Sequence, residues 1–364
     1  MSPVIDALAD EYKGRVTFAK VDIDHNQGLA MRFQVQGVPH FQVWKNGTKV
    51  EEFSGADRNQ LQYLVKLHSM DVEEAPVVQF TTFPITTYAI SEFTTPVQGP
   101  LKKINEFNEG AALAETPQLR LDAEQVSALA TLLERLLAKD YSFVPTEHHY
   151  SLLTKFAQWP ASIRVPALDV IRSAFAHPLV CEHFLPPFIS KVPEGDVISQ
   201  CLTILQSATV TPIELRMLWR FVTNIIASDH LREAVCHTDT VQAILTTMVK
   251  DINNDPAIRI YLTDALLNLT LALETSQRND EINFLLTKAL EVCIRLMSTE
   301  SDENALCRLL VGLGTVVIRN PPFQMILCGN KHLKDFLALK KQATKIEHNQ
   351  TAITELLTLL NKPL

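Results

Sequence analysis

Cysteine is missing from the first 180 residues of this 364-residue chain. The six cysteines that are present lie later in the sequence, at Cys181, Cys201, Cys236, Cys293, Cys307 and Cys328. None of them is part of a CxxC pair, which excludes a redox-active dithiol of the CxxC type. Because their neighbours are mostly apolar, we expect buried free thiols in a reducing compartment and not a disulfide framework.

An excess of positive charge and a long apolar run are missing as well. The chain has 33 Lys and Arg against 41 Asp and Glu, which argues against broad nucleic-acid binding and against attraction to anionic membranes. No uncharged apolar stretch is long enough to span a membrane, and MSPVIDALADEYKG lacks the basic end and apolar core of a signal peptide. We therefore expect a cytoplasmic or nuclear protein without a membrane partner.

The first 70 residues predict a compact succession of short elements. VIDALADEY predicts a helix, VTFAKVDID a strand and HNQGLAMRFQV a second short helix. A Val-Pro step follows, and FQVWKNGTKVEEF predicts a hairpin because Asn46-Gly47 suits a two-residue turn with positive φ. Asp57 then begins a third helix as its N-cap.

The residues of this region resemble the later two thirds of thioredoxin, in FAKVDID, LAMRFQVQGVPHF and KNGTKVEEFSGA. The resemblance implies a cis peptide bond at Pro39, in a loop that faces a dithiol in thioredoxins. Met1 falls within the helix that follows the CxxC motif there, so the first strands and both catalytic cysteines are absent from this sequence. Dithiol exchange needs an attacking thiolate and a resolving thiol, so we expect Pro39 to be structural. Two explanations for the missing strands and cysteines stay open, a truncated gene product and an incomplete gene model.

Residues 71–79 predict a linker, and extended, β-like structure begins at about Gln79. Helical periodicity dominates the remainder, and helices are predicted at 101–110, 121–140, 147–157, 162–176, 195–207, 212–228, 239–251, 256–274, 280–299, 302–319 and 350–361. Some, such as AIRIYLTDALLNLTLAL, are apolar on most sides and must be buried between neighbours. Paired helices with short connections favour an armadillo- or HEAT-type α-solenoid, with a compact irregular bundle as the competing architecture.

The helical part resembles a PUL domain over residues 80 to 362. The resemblance is carried, in order, by FTTFPITTYAISEFTTPVQGPLKKINEFNE, WPASIRVPALDVIRSAFAHP, LRMLWRFVTNII, AIRIYLTDALLNLTLAL and LCRLLVGLGTVV. It implies an armadillo-like helical array that binds the C-terminal tail of a ubiquitin-selective AAA+ ATPase of the valosin-containing-protein type. We therefore predict a mainly α chain with an incomplete α/β thioredoxin-like segment at 1–70, a linker at 71–79 and a PUL domain at 80–364.

The partner tail that the resemblance implies is acidic and has an aromatic residue near its end. Guanidinium groups bind carboxylates through paired hydrogen bonds, so arginines beside a ring pocket suit such a ligand. The candidate residues for tail binding are Arg216, Arg220, Asn224, Arg259, Asn268 and Arg308. A structural interpretation stays open, in which the arginines pair with buried acids or connect loops and the asparagines cap carbonyls between helices.

The leading prediction is a non-enzymatic adaptor in ubiquitin-dependent protein turnover, with no cofactor and no metal, and with ubiquitin as a further candidate partner. Thioredoxin-like and PUL domains in this order are also similar to certain fungal and plant proteins in which a papain-like PPPDE peptidase stands upstream. One alternative is therefore a fragment of a longer ubiquitin or SUMO isopeptidase. The other is a thioredoxin-related redox protein that has lost its dithiol.

Overall fold

The computed structural model describes residues 2–12, 16–23, 25–33, 35, 37–45, 48–69, 80–192, 195–250, 255–277 and 279–361. The chain divides into two compact units, Met1–Gln79 and Phe80–Leu364, and each is described by itself. The predicted linker at 71–79 and the Asn46-Gly47 turn lie outside the described residues.

The described residues of the first unit form three helices and a pair of strands: α1 Ser2–Glu11, α2 Gln27–Arg32, β1 His40–Lys45, β2 Thr48–Ser54 and α3 Arg58–Ser69. The two strands are antiparallel, and Phe41 lies opposite Phe53 with the ring centroids 4.7 Å apart. The core is small and consists of Leu8, Phe53, Leu61, Leu64 and Val65. The Gln60 N–H donates to the Asp57 carboxylate at 3.0 Å, so the predicted N-cap of α3 is present.

The strand predicted for VTFAKVDID does not form. Residues 16–22 have no β ladder, and the sheet in the described part of this unit has two strands, β1 and β2. A strand is defined by backbone bonds to a neighbouring strand, and the sequence pattern alone does not supply that neighbour. The Val38–Pro39 peptide bond is cis, which is the geometry that the resemblance to thioredoxin implies.

The second unit is helical. Its helices are α4 Gln98–Glu109, α5 Ala123–Leu137, α6 Glu147–Ala157, α7 Arg164–Ala174, α8 Pro178–Ser190, α9 Val197–Gln206, α10 Pro212–Ala227, α11 Arg232–Val235, α12 Thr238–Met248, α13 Pro256–Thr275, α14 Asp280–Thr299, α15 Glu303–Arg319, α16 Pro321–Cys328, α17 Lys331–Ala343 and α18 Glu347–Asn361. Two short 3₁₀ helices, Ala111–Leu113 and Pro117–Leu119, join α4 to α5. The mainly α fold class, with a partial thioredoxin-like segment, is confirmed.

Helix boundaries follow from capping residues. Asp122 and Gln125 form a capping box at the start of α5, and Thr211 and Glu214 form a second one at the start of α10. Asp255 accepts a hydrogen bond from the Ala257 N–H at 2.8 Å and starts α13. These side chains satisfy N–H groups that have no partner within the first turn of a helix.

Five helices of the second unit pack in a row. The order is α7, α10, α13, α15 and α18, each in contact with the next. Helices α13 and α15 are buried on nearly all sides over residues 265–273 and 309–317, as the apolar sequence of α13 predicts. This sequential packing is that of a helical solenoid, in which each repeat contacts its neighbours.

All six cysteines are free. Burial raises the pKa of the Cys181, Cys201, Cys236 and Cys293 thiols to about 12, so these groups are not nucleophiles at neutral pH. Within the described ranges, no helix is both long and apolar enough to cross a membrane, and no three potential metal ligands among His, Cys, Asp and Glu come together.

Candidate peptide-binding face

An extended segment of the chain crosses the row of five helices. This segment, residues 80–96, is called the strap. It contacts α18 first, then α15, α13, α10 and α7, so it runs opposite to the order of the helices in the sequence. The sequence predicts β-like structure here, but the strap is in no sheet, and its backbone is bonded by helix side chains. We call those side chains the strap face: Arg172, Arg220, Asn224, Asn268, Thr315 and Glu355.

Two asparagines bind the middle of the strap through its main chain. The Ala89 N–H donates to Asn268 Oδ1 at 2.8 Å, and Asn268 Nδ2 donates to the Ala89 carbonyl at 2.8 Å. Asn224 binds Ser91 in the same way: the Ser91 N–H donates to Asn224 Oδ1 at 2.7 Å, and Asn224 Nδ2 donates to the Ser91 carbonyl at 3.0 Å. Each amide therefore supplies one donor and one acceptor to a single strap residue, as a neighbouring β-strand would.

The same asparagines also join neighbouring helices. Asn268 Nδ2 donates to the Thr223 carbonyl of α10 at 2.9 Å, and Asn224 Nδ2 donates to the Arg172 carbonyl of α7 at 2.7 Å. Both side chains are fully buried, and the two bonds between helices are buried as well, whereas the four bonds to the strap are part-buried. Of the two roles that were open for these asparagines, the structure contains the capping of carbonyls between helices. Binding of a partner tail stays a prediction.

The first residues of the strap are held by α18 and α15. The N–H groups of Thr81 and Thr82 donate to the Glu355 carboxylate at 2.6 Å and 3.1 Å, and both threonine hydroxyls donate to it as well. Burial acts to raise the pKa of Glu355, but these bonds together outweigh it and hold the pKa below the ordinary value. The Ile85 N–H donates to Thr315 Oγ1 at 3.1 Å.

The last residues of the strap meet a pair of arginines. Arg172 Nη1 donates to the Glu92 carbonyl at 2.8 Å and to the Ser91 carbonyl at 3.2 Å. Arg220 Nε donates to Ser91 Oγ at 2.6 Å, and its Nη2 donates to the Glu92 carbonyl at 3.3 Å. The Glu92 carboxylate pairs with Lys139, and Phe93 is only 2% exposed. This end of the strap is therefore an acidic residue followed by a buried ring, surrounded by three cations.

Electrostatics distinguish the two arginines. Arg172 pairs with Asp169 at 2.6 Å, whereas Arg220 has no carboxylate within ion-pair distance in the described part of the chain. Burial lowers the pKa of Arg172 to about 10 and also lowers the pKa of Arg220, and both groups stay protonated at neutral pH. Arg220 also lies over the Tyr261 ring, 5.1 Å from its centroid.

The structure brings three of the six candidate residues together at the strap: Arg220, Asn224 and Asn268. Arg259 is buried elsewhere and forms an ion pair with Glu300 at 2.8 Å, as the structural interpretation allows. Arg216 lies one turn from Arg220 and has a long contact of 3.5 Å with Asp255. Arg308 pairs with Asp264 and donates to the Asn304 carbonyl at 2.9 Å. The assignment of all six residues to tail binding stays a prediction.

Sequence reasoning missed Arg172, Thr315 and Glu355, and it missed that the strap itself contacts the candidate residues. Arg172 carries a signal that could have been used, because it lies in an apolar helix segment much as Arg220 does. Thr315 and Glu355 carry none, since a hydroxyl or a carboxylate at a single helix position is ordinary.

A family model shows what this helical unit is. The PUL-domain model matches residues 83–358, well over half of the chain. The chain belongs to the PUL-domain family. The match begins at Phe83, so most of the strap is part of the PUL domain. A solved structure described as "Crystal structure of PUL and PFU(mutate) domain" has a TM-score of 0.51 with this chain at 14% identity. The structural match covers 88% of this chain and 96% of the chain in that structure, which supports the fold.

The unit that precedes the PUL domain is similar to thioredoxin. The thioredoxin family model matches residues 1–67. Thioredoxin from Gallus gallus is 39% identical over 66 residues, which are 18% of this chain and 62% of the relative. Thioredoxin H-type from Chlamydomonas reinhardtii is 33% identical over 69 residues, covering 19% and 61%. This chain therefore spans about three fifths of the length of these thioredoxins.

Proposed function

We propose that this protein is an adaptor whose PUL domain binds the C-terminal tail of a ubiquitin-selective AAA+ ATPase of the valosin-containing-protein type. A PUL domain is a protein-interaction domain, which agrees with a non-enzymatic role. In this proposal residues 1–70 are a thioredoxin-like scaffold, residues 71–79 a linker and residues 80–364 the partner-binding domain. The adaptor would work in ubiquitin-dependent turnover in the cytoplasm or nucleus.

The observation that supports this proposal is a group of cations at the end of the strap. Arg172 of α7 and Arg220 of α10 donate to the Glu92 carbonyl, Lys139 pairs with the Glu92 carboxylate, and Arg216 lies one turn from Arg220 with the Asp255 carboxylate at 3.5 Å. An acidic peptide with an aromatic residue would find guanidinium donors and a ring pocket at this place. Arg220 would gain a carboxylate partner that it does not have within the described residues.

The test is a titration of the full chain with a fluorescent peptide of the ATPase tail. We expect saturable binding that weakens with salt, because exposed charge pairs are screened. The double variant Arg216→Ala with Arg220→Ala should weaken binding about tenfold or more, since charge-assisted hydrogen bonds are lost.

A matched control removes two cations from another surface. Lys288→Ala with Arg295→Ala changes the net charge equally on the exposed side of α14 and should leave the affinity within about twofold. Circular dichroism of both double variants should show unchanged helicity. No saturable binding by the unmodified chain would overturn the proposal, and equal affinity of both double variants would remove Arg216 and Arg220 from the site.

A further inference from the structure

We infer that the strap occupies, within the same chain, the surface on which an extended acidic–aromatic partner peptide binds, so that the strap and the partner compete. This inference rests on the proposed function for the chemistry of the partner. It adds the position of the peptide and the regulation of the site.

The middle of the strap face recognises a backbone and not a sequence. Asn224 and Asn268 contact only main-chain atoms of the strap, and Thr315 contacts only the Ile85 N–H. Any extended peptide presents the same N–H and C=O groups at alternate residues. A partner peptide could therefore replace the strap here without loss of hydrogen bonds.

Side chains are recognised at the α7 and α10 end of the strap. Glu92 pairs with Lys139, and Phe93 fills a buried position in the core. An acidic residue followed by an aromatic one is also the chemistry expected of the partner tail. The strap thus presents to the strap face the same type of peptide that the partner would present.

The position of Ser91 gives a partner an advantage over the strap. Its hydroxyl accepts from Arg220 Nε at 2.6 Å and lies 3.4 Å from Arg172 Nη1. The two guanidinium groups repel each other; Asp169 is in ion-pair contact with Arg172, whereas Asp169 and Asp264 act on Arg220 only from beyond ion-pair distance. A carboxylate at this position would form charge-assisted bonds that a neutral hydroxyl does not form. An acidic partner peptide can therefore displace a strap that is already in place.

The strap is also accessible to displacement. Ile90 is 55% exposed, and Thr86, Thr87 and Pro96 are exposed as well. Neither the N–H nor the C=O of Ile90 is bonded to any other described residue, so the strap is paired along one edge only. A segment bonded along one edge can be released in steps, because no second strand holds it.

The test compares two proline pairs in the full chain. Ala89→Pro with Ser91→Pro removes the two N–H groups that donate to Asn268 and Asn224, together with the Ser91 hydroxyl that accepts from Arg220, while every side chain of the strap face is retained. Thr86→Pro with Ile90→Pro places the same number of prolines where no described hydrogen bond of the strap is lost. The probes are a fluorescent peptide of residues 80–97 and the fluorescent ATPase tail peptide.

We expect the first pair to bind the strap peptide, and to bind the tail peptide about tenfold or more tighter than the unmodified chain. The second pair should behave like the unmodified chain. Tail affinity that is equal in all three proteins would overturn the competition while leaving the proposed function intact. Strap-peptide binding without tail binding would support occupancy by the strap and contradict the proposed partner.

A second measurement uses the unmodified chain and does not depend on how the proline variants fold. Hydrogen exchange of residues 80–92 is followed with and without saturating tail peptide. Displacement of the strap should speed exchange of the Ala89 and Ser91 amides, because their acceptors are then occupied by the tail. A tail that binds while these amides keep their protection would overturn the inference.

Discussion

Two segments of this molecule are part of neither a helix nor a sheet, and they differ in what surrounds them. Residues 16–22 of the thioredoxin-like unit lie beside a core of five buried side chains, and Val21 is 56% exposed. The strap of the PUL domain lies across five helices, with Phe83 and Phe93 each 2% exposed. Both segments mix apolar and polar residues without a helical period, so the sequence pattern is similar and the environments are not.

The difference shows that an extended chain needs bonding partners more than it needs other strands. Each N–H and C=O of a buried extended segment must be paired, and a β ladder is one way to do this. In the PUL domain Asn224 and Asn268 do it instead, because a side-chain amide has the donor and acceptor of a peptide group. The spacing of these asparagines on α10 and α13 therefore fixes which strap residues face the helices.

The largest loss of stability is expected from Asn268→Leu, which removes the side chain that binds the middle of the strap. Leucine has a similar size but leaves the Ala89 N–H, the Ala89 carbonyl and the Thr223 carbonyl without their partner. Each unsatisfied buried group costs about 1–3 kcal/mol, so the free energy of unfolding should fall by about 3 kcal/mol or more. Urea denaturation followed by circular dichroism measures this change.

The control for this variant is Asn361→Leu, at an exposed position at the end of α18. It should change the free energy of unfolding by less than about 0.5 kcal/mol. If Asn268→Leu also costs under about 1 kcal/mol, water satisfies the strap backbone and the comparison between the two segments fails.

A smaller loss of stability is expected when a methyl group is added where α15 contacts the strap. An alanine at Gly314 would place its methyl group within the Phe83 ring, whereas one at Gly312 would meet Leu267 Cδ1 at 3.2 Å and Thr270 Oγ1 at 3.3 Å. Glycine to alanine within a helix ordinarily gains about 1 kcal/mol. Gly312→Ala should therefore be nearly neutral, and Gly314→Ala should lose about 1–3 kcal/mol through overpacking.

Thermal unfolding of the two alanine variants side by side measures this difference. The two glycines are two residues apart on one helix, so propensity and solvent exposure are matched. Equal midpoints would show that Phe83 moves aside without cost, and the strap would then be more weakly held at α15 than its burial suggests.

Much of the helical architecture could be predicted from apolar periodicity. Helices at 147–157 and 280–299 have the predicted boundaries, and those at 212–228 and 256–274 differ by one residue at one end. Helix α8 was missed because Pro186 and Pro187 lie inside it, and proline normally argues against a helix interior. Helix α17 was missed because only Leu333 and Leu337 are buried, so its lysines dominated the pattern.

The candidate site was predictable only in part. An amide in an apolar helix must be satisfied when it is buried, and this reasoning identifies Asn224 and Asn268. It does not identify their partners, because Ser91 and Ala89 precede them by more than a hundred residues. Local periodicity has no information about such distant pairs. The same limit explains the strand that was wrongly predicted for VTFAKVDID. A strand needs a partner strand, and the residue pattern of this segment does not show whether a partner is present.

The smallest loss of stability is expected from Glu355→Gln, which affects the first residues of the strap, and this loss depends on pH. Burial acts to raise the pKa of Glu355, but the bonds from Thr81 and Thr82 hold the pKa below its ordinary value of 4.5. A carboxyl whose pKa is lowered by folding stabilises the folded state fully above its unfolded pKa, and this contribution is lost as the pH falls through the folded pKa. The unmodified chain should therefore be more stable than Glu355→Gln at neutral pH, and this difference should shrink below a pH of about 4.5.

Urea denaturation at a series of pH values gives the difference directly. Glu134→Gln, at an exposed position on α5, is the matched control and should show a difference that is small at every pH. A Glu355→Gln difference that stays constant down to acid pH would mean that the carboxylate charge does not hold the strap. In that case the hydroxyl and amide contacts of Thr81 and Thr82 would be kept by a neutral side chain. The strap would then be held by its bonds to the asparagines, to Thr315 and to the cations at its far end, together with its two buried rings.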